Sequence, residues 1–393
     1  MAQSPDIRVL SSLRSVDPRA WNELVGEDDP FVEHAFLSLL EESGSVGRGS
    51  GWEPTHVTAW RGDRLVGALP LYLKTHSYGE YIFDWGWADA ASRLGIAYYP
   101  KLVAMVPVTP VTGRRFLLAP GEAPGPLVSR LIDGCFEVAD ATKASSIHLL
   151  FLNPDEHGWV TADGRLMKRL SFQFHWRNAG YETFDDFVGE FRSSMRKKLR
   201  KERRVAAESN LQIEKVHGHE LSALDWLTLE RLYRATCGRK GSYPYLTREF
   251  FELAPARLDS SPLVLVARDE GRIVAASLNF EKGGHLYGRY WGASEQHDML
   301  HFELCYYRLI EHAIDQRMRR FEAGAQGTHK LRRGLMPVPI YSGHWVRHPV
   351  LAQAVADFLP REAASVQQQI QELAHHGPFR RHEAESQDIR ESR

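Results

Sequence analysis

The stretch Val57-Thr-Ala-Trp-Arg-Gly-Asp-Arg-Leu-Val-Gly-Ala-Leu69 and the stretch Leu265-Val-Ala-Arg-Asp-Glu-Gly-Arg-Ile-Val-Ala-Ala-Ser277 follow one pattern. Each runs through apolar residues, crosses a polar turn rich in Gly and Asp, and returns through Leu or Ile, Val and two small residues. Short apolar segments on either side of such a turn are the signature of a β-hairpin. Its recurrence later in the chain marks an internal duplication.

Working outward, each copy is followed by the same series of elements. In the first half a strand is predicted at Lys101 to Val106, a helix at Leu127 to Thr142 and a strand at Ser146 to Leu152. In the second half the strand is His285 to Trp291 and the helix Phe302 to Arg317. That helix has Phe302, Cys305, Leu309, Ile310, Ala313 and Ile314 on one face, and a strand from Arg320 to Ala325 follows. Helical spacing and short apolar runs support both series. A mixed sheet with flanking helices buries such elements, so the predicted fold class is α/β (α+β). The order hairpin, strand, helix, strand resembles the core of the Gcn5-related N-acetyltransferase (GNAT) fold, here in two tandem copies. The predicted organisation is a first GNAT-like domain over 1–178 and a linking helix over 179–210. A second such domain covers 211–360, and a tail, helical and then irregular, covers 361–393.

Composition agrees with two soluble domains: 393 residues, 43% hydrophobic and 25% charged. No apolar run reaches the ~20 residues needed to cross a bilayer. Asp6, Asp17, Glu23, Glu27, Asp28 and Asp29 exclude a signal peptide in the first thirty residues, which predicts a cytoplasmic protein. With 49 Lys and Arg against 50 Asp and Glu, no global grip on nucleic acid is implied, only a local patch. Cys135, Cys237 and Cys305 lie far apart without CxxC spacing, so neither a disulfide framework nor a zinc ribbon is indicated. Small buried thiols are the simpler reading. HExxH, GxSxG, P-loop and Rossmann signatures are absent, and His217-Gly-His219 reads as an ordinary turn, so no metal site is predicted.

Between the halves, Phe184, Phe187, Val188, Phe191, Met195 and Leu199 form one apolar stripe at helical spacing. Off the stripe stand Arg192, Arg196, Lys197, Lys198, Arg200, Lys201, Arg203 and Arg204, opposed within the run only by Glu202. Such a helix docks by its apolar edge. Its basic face is a solvated bridge between domains, a phosphate-binding surface with Arg196, Lys197, Arg200 and Lys201 as candidates, or, least favoured by its narrow apolar edge, a membrane-surface contact.

In a GNAT-like sheet two central parallel strands splay apart, and donor and acceptor meet in the gap. Ligands enter at the carboxyl ends of such strands. The second-half strands around Tyr287 and Glu322 therefore hold the leading candidates. Glu322, in an apolar strand, suits a proton acceptor with raised pKa; the alternative is a salt bridge to a neighbouring arginine. His329 and Lys330 follow in a Gly-containing loop with Gln326, where a carbonyl or phosphate oxygen can be held. Arg289 stands among aromatics, with Tyr287 and Trp291 on its side of the pleat, and suits a carboxylate or phosphate, or a structural cation–π stack. His301 and Glu303 open the long helix near the strand ends. In the first half, Lys74, His76 and Asp84, and likewise His175 and Trp176, interleave polar groups with aromatics. That pattern suits a sugar, nucleoside or peptide surface and suits a buried interdomain seam equally.

The chain resembles the FemAB-like family of the GNAT superfamily, predicted N-acyltransferases labelled peptidoglycan biosynthesis/recognition proteins. The resemblance runs from about Phe31 to Leu359. It is carried by Pro70-Leu-Tyr-Leu-Lys-Thr-His-Ser77, Gly79-Glu-Tyr-Ile-Phe-Asp84, Gln173-Phe-His-Trp176 and Arg196-Lys-Lys-Leu-Arg-Lys-Glu-Arg203. In the second half Leu286-Tyr-Gly-Arg-Tyr-Trp-Gly292, Leu300-His-Phe-Glu-Leu-Cys-Tyr-Tyr307, Glu322-Ala-Gly-Ala-Gln-Gly327 and His329-Lys330 carry it. The resemblance implies acyl or aminoacyl transfer to an amine; Fem-type relatives take an aminoacyl group from aminoacyl-tRNA and attach it to a cell-wall peptide. One departure is Arg239-Lys-Gly-Ser-Tyr-Pro-Tyr-Leu246, where relatives carry a Trp after the Lys and this chain has Gly241.

The expected activity is thus transfer from aminoacyl-tRNA or acyl-CoA, as co-substrate, to a small-molecule or peptide amine. Glu322, His329, Arg289 and His301 are the catalytic candidates. Tyr287, Trp291, Glu303, Gln326, Lys330, Lys74, His76, Asp84, His175 and Trp176 are the substrate-binding candidates. Ala293-Ser-Glu-Gln-His-Asp-Met-Leu300 lacks the glycines that cradle a pyrophosphate before the main helix, which favours the tRNA donor. The competing class is a non-catalytic module that recognises a glycan or peptide.

Overall fold

Both copies of the repeated sequence fold as hairpins in the computed structural model, which describes residues 4–258, 261–325 and 327–380. Among these, the first half contributes β1 (Asp6–Leu10), β2 (Trp52–Pro54), β3 (His56–Arg61), β4 (Arg64–Leu69), β5 (Tyr72–Lys74), β6 (Lys101–Ala104), β7 (Leu117–Leu118), β8 (Ser146–Leu152) and β9 (Met167–Arg177). The second contributes β10 (Gln212–His217), β11 (Pro262–Asp269), β12 (Arg272–Lys282), β13 (His285–Ala293), β14 (Arg320–Glu322) and β15 (Met336–Val346).

The duplication extends to backbone detail. The β3–β4 register shifts at Ala59/Trp60, and the β11–β12 register shifts at Ala267/Arg268, the corresponding residues of the repeat. A bulge kept at one place in both copies is a feature of the shared design. Each half also holds one parallel pair joined by a helical crossover. β6 pairs with β8 across the helix Pro124–Thr142, and β13 pairs with β14 across the helical segment 300–315.

The halves differ in how the hairpin joins the sheet. An eleven-stranded sheet runs β10-β11-β12-β13-β14-β9-β15-β8-β6-β5-β2, whereas β1-β3-β4-β7 form a separate sheet of four. Pro54 and Pro70 stand where the two first-half strands pass from one sheet to the other, as suits a residue that donates no ladder hydrogen bond. The Thr55 amide donates to the Leu71 carbonyl (2.8 Å) across that corner. Strands are also exchanged between the halves: β9 lies between β14 and β15, and β15 pairs with β8. Phe31 and Phe36 of the first half meet Phe280, and Phe31 meets Tyr287, with rings tilted or edge-on, so the largest apolar core spans both halves, beside a second core around Phe174, Trp176 and Phe187.

Three predicted elements change. The basic segment is two helices, Phe184–Gly189 and Ser193–Ala207, rather than one. Phe191 in the break pairs with Phe379, rings 5.1 Å apart. The strand from Arg320 stops at Glu322 instead of Ala325. The C-terminal helix is continuous over Pro349–His375, and residues 376–380, expected to be irregular tail, are tied down: the Arg192 amide donates to the Pro378 carbonyl (2.9 Å). The remainder of the predicted tail lies outside the described residues. Among the described residues no helix is long and apolar enough to cross a membrane.

Candidate functional site

β13 and β14 pair at His285↔Arg320, Leu286↔Phe321 and Tyr287↔Glu322 and no further, although β13 runs on to Ala293. Beyond the last pair a cavity of about 440 Å³ opens between Gly288–Trp291 and Ala323–Ala325. Its place at the carboxyl end of a parallel pair is where an α/β sheet receives ligands.

A bulge sets what the cavity presents. On β12, Leu278 faces Tyr290 and Asn279 faces Gly288, which leaves Arg289 as the extra residue. The bulge overrides the predicted alternation. Arg289, Tyr290 and Trp291 all border the cavity, whereas Tyr287 is buried and donates its hydroxyl to the Asp28 carbonyl (2.6 Å). The Arg289 guanidinium donates to the Val108 carbonyl (2.6 Å) and lies 4.9 Å from the Tyr290 ring centroid.

The wall opposite comes from the crossover helix, which widens into a π-turn over Glu303–Tyr307. Such turns redirect side chains and recur at functional sites. Here His301, Cys305 and Tyr306 face the cavity, while the Tyr307 hydroxyl donates to Glu202 on the other side (2.5 Å). The departing loop 239–246 forms the rim through Lys240, Ser242, Tyr243 and Tyr245, and Tyr81 and Pro110 reach in from the first half.

Charge in the cavity is one-sided. Among the described residues, no Asp or Glu lines it. Lys330 is buried behind the wall and donates to the Gly324 carbonyl (2.7 Å); burial lowers its pKa to about 7. Burial likewise pushes His301 down to about 3, with Lys240 and His329 adding to the effect. His329 is lowered by burial and then by Arg333 and Lys330, so its imidazole is neutral at pH 7. Its Nε2 lies 2.9 Å from the Tyr306 hydroxyl, a phenol–imidazole pair at the cavity wall.

Of the sequence candidates, Arg289, Trp291 and His301 line the cavity, and His329 and Lys330 sit directly behind its wall. Gln326 lies outside the described residues. The others are elsewhere. Glu322 is 1% exposed, ion-paired to Arg320 at 3.0 Å, accepts the Thr112 amide (3.2 Å) and stands 3.6 Å from His175. A carboxylate so engaged and turned from the cavity is no proton acceptor for a ligand there. Burial holds its pKa up against the pull of Arg320. Glu303 pairs with Arg203 and Arg308 on the outer side of the helix.

None of the first-half candidates lines the cavity; Lys74, Asp84, His175 and Trp176 are buried and His76 is half-buried. Lys74 lies 3.5 Å over the Trp52 ring and donates to the Tyr78 carbonyl (3.0 Å); its pKa falls to about 7 through burial. His76 contacts the Ser50 carbonyl (3.2 Å). Asp84 is ion-paired to Lys101, itself bonded to Glu80 (2.8 Å). His175 approaches Gln173 (3.3 Å), and Trp176 is 1% exposed in the second core. In the basic helix, Arg196 donates to the Gly189 carbonyl (3.3 Å), and Arg200 lies 3.5 Å from Asp185. Lys197 and Lys201 point into solvent.

Sequence reasoning missed Tyr81, Tyr233, Tyr245, Ser277, Asn279 and Tyr306. They come from separate segments that meet only in the fold. The one sequence signal was the loop 239–246, singled out for its Gly241, which does form the rim.

A duplicated hairpin, a parallel pair in each half and a cavity where one pair parts define a doubled GNAT-type scaffold. The sequence matches the FemAB-like family, described as peptidoglycan biosynthesis/recognition, over residues 12–381, and the protein belongs to that family. The solved structure of FemX is similar, with a TM-score of 0.52 at 12% identity over 89% of this chain and 100% of that one. The C-terminal domain of a putative lysylphosphatidylglycerol synthetase from Agrobacterium fabrum is similar too, at 0.52 and 11% identity, over 90% and 97% of the two chains. A tandem GNAT protein from the clavulanic acid biosynthesis pathway gives 0.47 at 10% identity, over 88% and 99%. At these identities the likeness to FemX and to the synthetase domain is one of fold. No curated protein matches the sequence.

Proposed function

We propose that the protein transfers an acyl or aminoacyl group from an activated donor to an amine in peptidoglycan biosynthesis, within the cavity between β13 and the segment after β14. The observation that supports it is the cavity itself. A parallel pair that stops pairing at Tyr287↔Glu322 leaves a walled gap bordered by Arg289, His301 and Tyr306.

The amine nitrogen attacks the acyl carbonyl carbon. A C–N bond forms, and the C–O bond of an ester donor or the C–S bond of a thioester breaks. A cationic cavity without carboxylates disfavours an ammonium, so the amine reacts as the neutral base. The same field stabilises the oxyanion of the tetrahedral intermediate. The amine proton passes through the Tyr306 hydroxyl to neutral His329 and returns to the leaving oxygen or sulfur. No net proton is consumed.

Aminoacyl-tRNA is the favoured donor. Loop 294–299 has no glycine and carries exposed Glu295 and Asp298, an unfavourable setting for a pyrophosphate. Lys197, Lys198, Arg200, Lys201 and Arg204 present an exposed basic face suited to a phosphate backbone. A cytoplasmic site of action follows from that donor.

The test offers acyl-CoA and charged tRNA separately, with a pool of peptide amines, and weighs the products. Transfer that disappears in His329→Ala supports the proposal; saturable binding with no product from either donor contradicts it and favours a recognition module.

A further inference from the structure

Most buried or half-buried cations among the described residues are matched by carboxylates; Lys74, over the Trp52 ring, and Arg196, on the Gly189 carbonyl, are exceptions that protein groups already satisfy. Lys101 has Glu80 and Asp84, Arg115 has Asp29, Arg203 has Glu303, Arg320 has Glu322 and Arg333 has Glu202. The cavity breaks that pattern. Among the described residues Arg289 bonds only to a carbonyl and a phenol, and its Nε is buried without a hydrogen-bond partner. Lys240 stands on the rim with no ion pair among the described residues. Leaving a half-buried guanidinium without a carboxylate is costly, and the economical resolution is a counter-charge that arrives with the ligand.

The chemistry of that charge follows from the geometry. Arginine's planar fork matches a carboxylate in two parallel hydrogen bonds, and the Tyr290 ring beneath the guanidinium fixes its plane. The cavity is small, about 440 Å³, and walled by Tyr81, Tyr233, Tyr245 and Trp291. That space suits an amino acid or short peptide rather than a nucleotide. We infer that the amine acceptor carries a free carboxylate, held by Arg289 and Lys240, so that the substrate class is an amino acid or a peptide with an unblocked C-terminus.

This inference rests on the cavity assigned to transfer, but its test is binding alone, so it stands or falls apart from turnover. Calorimetric titration of the full chain compares Ala-Ala, its C-terminal amide and inorganic pyrophosphate. The expected result is a dissociation constant below about 10 mM for Ala-Ala, with the amide roughly tenfold weaker or worse. Arg289→Gln is expected to abolish the preference for the free acid. Because Arg289 also holds the Val108 carbonyl, exposed Lys240→Gln serves as a second variant and is expected to weaken Ala-Ala several-fold with thermal stability unchanged. Equal affinity for acid and amide, or no binding of Ala-Ala, overturns the inference. Tighter binding of pyrophosphate than of Ala-Ala overturns it in favour of a phosphate site.

Discussion

Glu202 accepts a hydrogen bond from Arg333 at 2.7 Å, joining the basic helix to the turn that carries His329. The only acid within the run from Arg196 to Arg204 therefore faces inward, away from the basic face. It also accepts from the Tyr307 hydroxyl (2.5 Å), and Arg333 in turn donates to the His329 carbonyl (2.8 Å) and lies 3.4 Å over the Phe302 ring. Breaking one side of a buried pair leaves a charge stranded. Glu202→Gln is predicted to cost about 3 kcal/mol in urea unfolding, with a coupling above about 1 kcal/mol to Arg333→Gln in a double-mutant cycle. Additive losses would show that the two side chains act independently.

Glu322 gives the opposite expectation for activity. Because it is engaged by Arg320 and the Thr112 amide and does not line the cavity, Glu322→Gln is predicted to lower stability by about 1–3 kcal/mol while transfer per folded molecule persists. Loss of transfer at full stability would return Glu322 to the reaction.

Gly292 marks where the helix Ala223–Arg239 meets β13. A Cβ there would sit 2.3 Å from the Leu232 carbonyl carbon, and backbone cannot yield as a side chain does. Gly292→Ala is predicted to destabilise the chain by about 2 kcal/mol or more and to disturb the cavity wall beside Trp291. A melting temperature within a degree or so of the parent's would contradict that packing.

Glu156 predicts a pH dependence. Its carboxylate, buried and bonded to the Arg115 and Phe116 amides, is raised by burial from 4.5 to about 7. The folded state therefore holds this proton more tightly than the unfolded state does. The resulting stabilisation is fully present below pH 4.5 and is lost as pH rises through 7, a change of roughly 2–4 kcal/mol. Glu156→Gln is predicted to remove this component from the pH profile of urea unfolding. An unchanged profile between pH 4.5 and 7 would count against the raised value.

The exposed lysines of the basic helix should report on RNA. If Lys197 and Lys201 contact phosphates, the double substitution to Ala is predicted to reduce the slope of log affinity against log salt for tRNA by about one to two. An identical slope would move the RNA elsewhere.

The hairpin repeat was legible because a period of two and a polar turn leave a local trace, and even the bulge fell at matching residues in both copies. The exchange of β9 and β15 between halves left none, since pairing partners so distant in sequence share no local pattern. Glu322 stayed open between proton acceptor and salt bridge for a related reason. A carboxylate in an apolar strand looks alike whether it faces a ligand or an arginine, yet Arg320 stands two residues earlier on the same side of the pleat. Arg289 was expected beside the parting strands and lines the cavity there, but the bulge that turns Tyr290 toward the cavity with it is visible only in the pairing with β12. The tyrosines of the wall were beyond reach because each comes from a different segment.

The most direct measurement is a crystal structure with a non-hydrolysable aminoacyl-RNA analogue, its ester replaced by an amide. The account predicts the acyl carbonyl between Gly288 and Ala323, within hydrogen-bonding distance of Tyr306. An acyl group found in the first half, or on the protein surface away from these residues, would contradict it.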